Sequence, residues 1–405
     1  MTRPPAGALL TARAFPEDPD LTAEQRLTRF LTDYWGQRSL VLPGACADMP
    51  ELLDGDELAG LACEPAVDAR IVRRLPDGTF ESEHGPFAVS RFDSLGDADW
   101  TLLVNGVDLE IPGFETLLAL LRFVPDWRLD DIMVSFAARG GSAGPHFDQY
   151  DVFLVQAAGT RRWEMGADCR GAELTREQHG GLDLVAGFEP TEVLHCGPGD
   201  VIYIPPGMVH HGIAETPCLT LSLGLRAPAA ADLMEAWLQD AEDAEVQASN
   251  APLALDPPLP ADPARLAPDT IVQARQALRA ALLARIDDDA HFARWLGGVL
   301  TRPGRMTAPS RPDPLSPLDL ASALERGSWL ERAPGARLLL HDDTEGRVVF
   351  VGGDTFQADA LSDAAAAPLL AFTPVHAGDL EDFAALELAT ALYNAGWMVL
   401  NDPEE

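Results

Sequence analysis

Between Ile132 and Leu225 the chain is a succession of short β-rich runs, IMVSFAA, DVFLVQAA, RRWEM, VIYIP and LTLSLGLR, each bounded by Gly, Pro or Asp. Short strands at regular spacing, with turn-forming residues between them, predict an antiparallel barrel or sandwich. The rest of the chain has to be arranged around that unit.

The flanking segments have other textures. Residues 1–45 contain a helical stretch, LTAEQRLTRFLTDYWGQR, and end in an apolar strand, SLVLP, that Pro and Gly stop. Residues 51–130 mix helical pieces (PELLDGDELAGLA, ETLLALLRFV) with short strands such as ARIVRRL. Beyond Arg226-Ala227-Pro228 the pattern turns helical in AAADLMEAWLQDAEDAEVQ and DTIVQARQALRAALLARI, joined by the Pro-rich APLALDPPLPADPARLAP. A second break, TRPGRMTAPSRPDP at 301–314, precedes an α+β unit of winged-helix size. The expected division is 1–227, 228–302 and 303–405.

Charge ranks the partners. The 405 residues carry 64 acidic groups against 29 basic ones, all of them Arg, for a formal net charge of −35 and a pI near 4.4. A surface this acidic repels duplexes and anionic membranes and attracts a basic protein or peptide. From 301 onward seven Arg face seventeen acidic residues, which argues against direct nucleic-acid binding by a winged helix. Five Cys at wide spacing, without a CxxC pair, exclude a disulfide framework or zinc knuckle. With no signal-peptide core and no run of 18 apolar residues, a cytoplasmic location is expected. There is no phosphate loop or dinucleotide fingerprint, and Cys196 and Ser222 have no base at a defined spacing.

The chemistry gathers in two places. In GGSAGPHFDQYDVF (140–153), His146 and Asp148 are two apart, and on a strand two such side chains share a face. Residues 199–210, GDVIYIPPGMVH, space Gly, Pro, Gly and His210 as the second signature of cupin barrels does, and Gly140, His146 and Asp148 supply half of the first. Two His and one carboxylate occupy one face of an octahedron and leave adjacent positions open, the arrangement of non-haem Fe(II) oxygenases. The spacing selects His210 over His211, which faces out or borders the pocket. His84, His179, His195, His291, His341 and His376 have no ligand spacing. An oxygenase of this kind most often draws electrons from 2-oxoglutarate, whose far carboxylate needs a cation. Arg161-Arg162-Trp163 on the following hairpin offers one, and strand alternation alone leaves open which Arg faces inward.

GPHFDQYDVFLVQAAGTRRWEMG followed by GDVIYIPPGMVHHG resembles the JmjC-type 2-oxoglutarate oxygenases, and more narrowly the bacterial RoxA-like ribosomal oxygenases. FLTDYWGQRSLVLPGA, DELAGLACEPAVDARIV, EHGPF and SLGLRAP are similar to further signatures of that family. The resemblance implies a mostly β catalytic domain at 1–227 (a double-stranded β-helix, the cupin or JmjC barrel), an α-helical dimerisation region at 228–302 and a winged-helix-like domain at 303–405. It implies Fe(II) on His146, Asp148 and His210, with 2-oxoglutarate held by Arg161 and bordered by Ser135, and dioxygen as cosubstrate. It further implies a homodimer that hydroxylates an arginine of large-subunit ribosomal protein sixteen. Phe147 between the ligands and His211 after the last depart from close relatives and leave the target residue open. The alternatives are the same chemistry on a histidine or another basic protein, and a non-catalytic cupin-like interaction module.

Overall fold

The computed structural model describes residues 9–10, 14–49, 51–111, 113–168, 176–243, 268–302 and 309–403. The N-terminal part forms α1 (Ala23–Asp33), β1 (Leu40–Leu42), α2 (Gly55–Leu61), β2 (Ala69–Arg74), β3 (Phe80–His84), α3 (Val89–Asp93), β4 (Trp100–Val104), α4 (Val107–Glu110) and α5 (Glu115–Leu120). The strand-rich centre follows as β5 (Leu129–Ala137), β6 (Asp151–Ala158), β7 (Arg161–Asp168), β8 (Arg176–His179), β9 (Leu182–Val185), β10 (Glu192–Cys196), β11 (Val201–Ile204), β12 (Met208–Ala214) and β13 (Cys218–Leu225). Helices α6 (Ala230–Asp243), α7 (Pro268–Ile286), α8 (Asp289–Thr301) and α9 (Pro317–Glu325) come next. The chain ends in β14 (Trp329–Arg332), β15 (Leu338–Asp343), β16 (Gly346–Val351), β17 (Asp354–Gln357), α10 (Asp363–Ala366), α11 (Phe383–Asn394) and β18 (Met398–Asn401).

The central strands close into a double-stranded β-helix. One wall is an eight-stranded sheet in the order β1-β11-β6-β13-β5-β4-β2-β3, and the other is β10-β7-β12. Along β5, Ile132 and Val134 point to the main core and are fully buried, so Asp131, Met133 and Ser135 alternate toward the lumen between the walls. Along β7, Trp163 and Met165 join a second apolar cluster with Ile202 and Met208. Gly159, at φ +64°, makes the β6–β7 turn; a Cβ there would lie 2.1 Å from the Pro217 carbonyl oxygen.

Helix α1 closes the outer face of the large sheet. Thr22 and Gln25 form its capping box. Its buried Phe30 packs among Trp35, Phe123, Phe153 and Tyr203 at centroid distances of 5.0–6.0 Å. The Tyr203 hydroxyl accepts the Gly36 N–H at 2.6 Å and donates to buried Asp151, which also pairs with Arg128 at 3.0 Å.

The C-terminal unit has its own core, in which α9 and α11 cover the β14–β18 pair and the β15-β16-β17 sheet. It is fastened to the barrel by arginines. Arg332 donates to Asp126 at 3.0 Å, and Arg337 donates to the carbonyls of Leu129 and Asp130 at 3.1 and 2.6 Å. Phe372 from this unit is buried in the barrel's core. Among the described residues no helix is long and apolar enough to cross a membrane.

Candidate active site

The structure brings His146, Asp148 and His210 together. One ligand atom from each lies within 4.8 Å of the others, and His210 Nε2 is 3.7 Å from Asp148 Oδ2. It is the one such cluster found among the described residues. His210 is on β12, as the spacing predicts. His146 and Asp148 are not on a strand, in contrast to the expectation. They occupy the segment between β5 and β6, where only His146 forms an isolated bridge, to His210. The glycine run explains this. Gly140 and Gly144 adopt φ +79° and +82°, which a ladder does not accommodate, and Gly141 approaches the Trp100 carbonyl too closely for any Cβ. The segment is instead held by the His146–His210 backbone pair and by the Val185 N–H on the Pro145 carbonyl at 2.9 Å.

Both imidazoles are oriented by backbone carbonyls. His146 Nδ1 is 2.9 Å from the Gly144 oxygen, and His210 Nδ1 is 3.0 Å from the Met208 oxygen. A carbonyl only accepts, so each Nδ1 carries the proton and each Nε2 lone pair is left for a cation. Burial, reinforced by the nearby His146, pushes the His210 pKa down to about 4, so its ring is neutral at neutral pH. Two imidazoles that turn their Nε2 atoms inward and a carboxylate, close enough to share one ion, fit a divalent metal.

Arg161 is the inward arginine of the pair. Its side chain is fully buried, 4.9 Å over the Trp163 ring. It lies 3.3 Å from the hydroxyls of Ser135 and Thr220 and 3.4 Å from the Gly212 carbonyl, and Nε has no acceptor. Burial depresses its pKa. No carboxylate among the described residues pairs with it. A buried cation without a counter-ion is costly, and a bound carboxylate removes that cost. The donor set therefore fits a small dicarboxylate cosubstrate. Thr220 and Gln156, which accepts from the Thr220 hydroxyl at 3.2 Å, complete this floor; neither was singled out in the sequence.

The neighbouring residues fall on the other side of the wall. Arg162, Glu164 and His211 occupy the outer face of β10-β7-β12, where His211 Nδ1 meets Glu164 at 3.0 Å and Phe188 stands edge-on to the ring. Burial lowers the His211 pKa, and Glu164 opposes that shift. Phe147 is half-buried between the ligands. His195 pairs with Glu215, His291 packs on Trp237, and His376 caps a turn, so none joins the cluster. Burial pushes the Cys196 thiol up to about 12, which leaves it unreactive. At the rim, Tyr150 is partly exposed, and its phenol pKa is raised by burial and by the carboxylates of Asp148, Asp130 and Asp131.

A barrel lumen with this cluster is the architecture of a metal-dependent oxygenase of the cupin class. A JmjC domain model matches residues 116–233 and a ROXA-like winged helix model matches 284–398; an AraC-like ligand binding domain model also matches 191–287. The ribosomal protein uL16 3-hydroxylase of Escherichia coli K12 is 35% identical over 382 residues, covering 91% of this chain and 96% of that protein. The X-ray structure of E. coli ycfD superposes with a TM-score of 0.78 at 32% identity, over 92% of this chain and 98% of that one. A structure of the same ribosomal oxygenase in complex with cobalt and 2-oxoglutarate gives 0.75 at 32% identity, with the same shares covered. This chain belongs to the ribosomal oxygenase family.

Proposed function

We propose that this chain is an Fe(II)- and 2-oxoglutarate-dependent protein hydroxylase acting on an arginine side chain of ribosomal protein uL16. The observation that carries the reading is buried Arg161, without a counter-ion, in the same lumen as the His146–Asp148–His210 cluster. Two further supports come from the relatives: one acts on uL16, and its structure has been solved with cobalt and 2-oxoglutarate.

Fe(II), when bound with 2-oxoglutarate, supplies the oxidant that puts one atom of dioxygen on a substrate carbon and leaves succinate and carbon dioxide. His146 and His210 would offer their Nε2 atoms and Asp148 a carboxylate oxygen as ligands. Arg161, flanked by the hydroxyls of Ser135 and Thr220, would hold the far carboxylate with a bidentate fork. Trp163 and Met165 keep water from that floor. The carboxylates of Asp148, Asp130 and Asp131 around Tyr150 favour a cationic side chain at the mouth, and the net charge of −35 favours approach of a basic protein.

The three-part division 1–227, 228–302 and 303–405 is part of the proposal, with a cytoplasmic location, no direct nucleic-acid contact and a homodimer joined through the helical region. Exposed Met234 and Leu238 on α6, and Ile271, Val272 and Leu278 on α7, support a covering partner there. Sedimentation is expected to give the dimer mass; a monomer rejects that part alone. For the reaction, the protein with Fe(II), 2-oxoglutarate and ribosomal proteins is expected to add one oxygen to an arginine of one large-subunit protein, located by fragmentation. Asp148→Ala is expected to stay folded and add none. Oxygen on a histidine would replace the target and keep the chemistry, whereas 2-oxoglutarate left unconsumed would leave only a non-catalytic module.

A further inference from the structure

We infer that Gln156 is a positioning residue for the far carboxylate of the cosubstrate, acting through the Thr220 hydroxyl on the Arg161 guanidinium. The inference rests on the proposed use of 2-oxoglutarate and concerns what aims the cation.

Gln156 occupies a place where the neighbouring residues are apolar. Along β6, Phe153 and Val155 point to the main core, while Val152 and Leu154 face the lumen in the cluster of Trp163 and Met165. Gln156 continues that second row and is 1% exposed. A primary amide there is costly unless its groups are hydrogen-bonded. The β6–β13 ladder provides the partners. Leu219 pairs with Ala158 and Thr220 with Gln156, so Ala157 is an extra residue on β6, a bulge. The Gln156 amide spans it, donating to the Ala158 carbonyl at 2.7 Å and to the Leu219 carbonyl at 3.2 Å. The backbone of Gln156 is fixed as well. Its N–H donates to the Asp200 carbonyl at 2.9 Å, and its carbonyl accepts the Gly199 N–H at 2.8 Å.

These bonds decide the direction of the next one. Both amide protons go to carbonyls, and a flipped amide would set oxygen against oxygen. Oε1 therefore faces Thr220 and only accepts, so the Thr220 hydroxyl, 3.2 Å away, points its proton at Gln156. The Thr220 lone pairs are left for Arg161 Nη1 at 3.3 Å. Ser135 acts alike. Its hydroxyl donates to the Thr220 carbonyl at 3.4 Å and turns its lone pairs to the same Nη1 at 3.3 Å. With the Gly212 carbonyl on Nη2 at 3.4 Å, acceptors on β5, β12 and β13 fix the guanidinium plane. A two-bond grip on a carboxylate needs that plane fixed. Without Gln156 the Thr220 proton would be free to turn toward Nη1 and oppose it.

The test separates the two ends of the cosubstrate. The full-length chain loaded with Co(II) is titrated calorimetrically with 2-oxoglutarate and with oxalate, which chelates a metal but has no far carboxylate. Gln156→Met keeps the length of the side chain and removes its donors and acceptor. It is expected to weaken 2-oxoglutarate binding roughly fivefold to thirtyfold, with oxalate and Co(II) binding unchanged within a factor of two. Thr220→Val is expected to show the same loss; it leaves the bonds to Ala158 and Leu219 in place and decides the matter if Gln156→Met does not fold. Thr220→Ser, which keeps the hydroxyl, is expected to bind as the wild type does. Because the two residues act in series, Gln156→Met/Thr220→Val is expected to lose no more than either single variant. Unchanged 2-oxoglutarate affinity in Thr220→Val overturns the inference, and so does an equal loss for oxalate, which marks a mere strut of the barrel. Losses that add in the double variant overturn it too. A wild type that binds Co(II) and oxalate but no 2-oxoglutarate refutes the proposed cosubstrate itself, and the inference falls with it.

Discussion

Arg161 and Gly212 have to be considered together. The guanidinium packs on Trp163 and donates to the Gly212 carbonyl at 3.4 Å, so the two strands approach closely where residue 212 has no side chain. A Cβ at 212 would lie 2.6 Å from the Trp163 ring and 2.7 Å from Arg161 Nε. Neither neighbour has free space, because both are buried in the lumen wall. Gly212→Ala is therefore expected to displace the guanidinium and cost about 1–3 kcal/mol in packing. Losing the bidentate geometry on a carboxylate is worth about 1.5–3 kcal/mol, or roughly 10- to 100-fold in the KM for 2-oxoglutarate. Arg161→Lys, which keeps the charge but not the fork, is expected to fall in the same range. Steady-state kinetics in 2-oxoglutarate, alongside a metal titration that stays unchanged, checks both. An unchanged KM in the alanine variant removes Arg161 from the cosubstrate site.

At the scale of elements, the strands were legible because turn residues bracket them, and His210 was legible because its spacing is rigid. The strand assumed for His146 and Asp148 was not, since Gly140 and Gly144 take left-handed backbone that alternation cannot express. The choice of Arg161 over Arg162, which the family resemblance implies, is also written in the alternation of the strand. Trp163 and Met165 follow Arg161 at alternate positions and share its buried face, while Arg162 and Glu164 pair on the outer one. The hairpin β8–β9, whose Val185 holds the Pro145 carbonyl, carries no motif and is visible only in three dimensions. Short α4 is a further case. Its Asp108 caps the start of β5 by accepting the Ile132 N–H at 2.8 Å, and Arg337 is 3.8 Å away. Burial outweighs both contacts and raises its pKa from 3.8 to about 6. Below pH 3.8 the carboxyl is protonated in both folded and unfolded chains, and its contribution to stability is complete. As pH rises toward 6 the unfolded chain ionises first, and about 3 kcal/mol is lost. Asp108→Asn keeps the acceptor and cannot ionise. Denaturation midpoints are expected to show the variant gaining on the wild type between pH 4 and 6 and staying at least as stable at pH 7. A constant difference across that window contradicts the assignment.

Across the whole molecule, the barrel and the C-terminal unit each have a hydrophobic core, yet they are joined through a buried charge cluster. Arg332 is central to it. Its side chain is 4% exposed, it lies 4.2 Å over Phe372, and it shares Asp126 Oδ2 with Arg122 at 3.0 and 3.3 Å. Its Nε and Nη2 have no acceptor, and burial lowers its pKa to about 10 with Asp126 opposing. A cation held this far from water contributes little by itself, but removing one member of a buried pair strands the other. Arg332→Ala leaves Asp126 with Arg122 alone and opens a void above Phe372, at an expected cost of about 3 kcal/mol. The loss falls on the junction and not on either core. Calorimetry is therefore expected to show the wild type unfolding in one transition and the variant in two, the C-terminal unit melting first. Arg332→Met with Asp126→Asn removes both charges while keeping volume, and it is expected to restore most of the lost stability. If the double variant is as weak as the alanine variant, hydrogen-bond geometry and not stranded charge holds the two units together. If Arg332→Ala still melts in one transition, Phe372 in the barrel core suffices to join them.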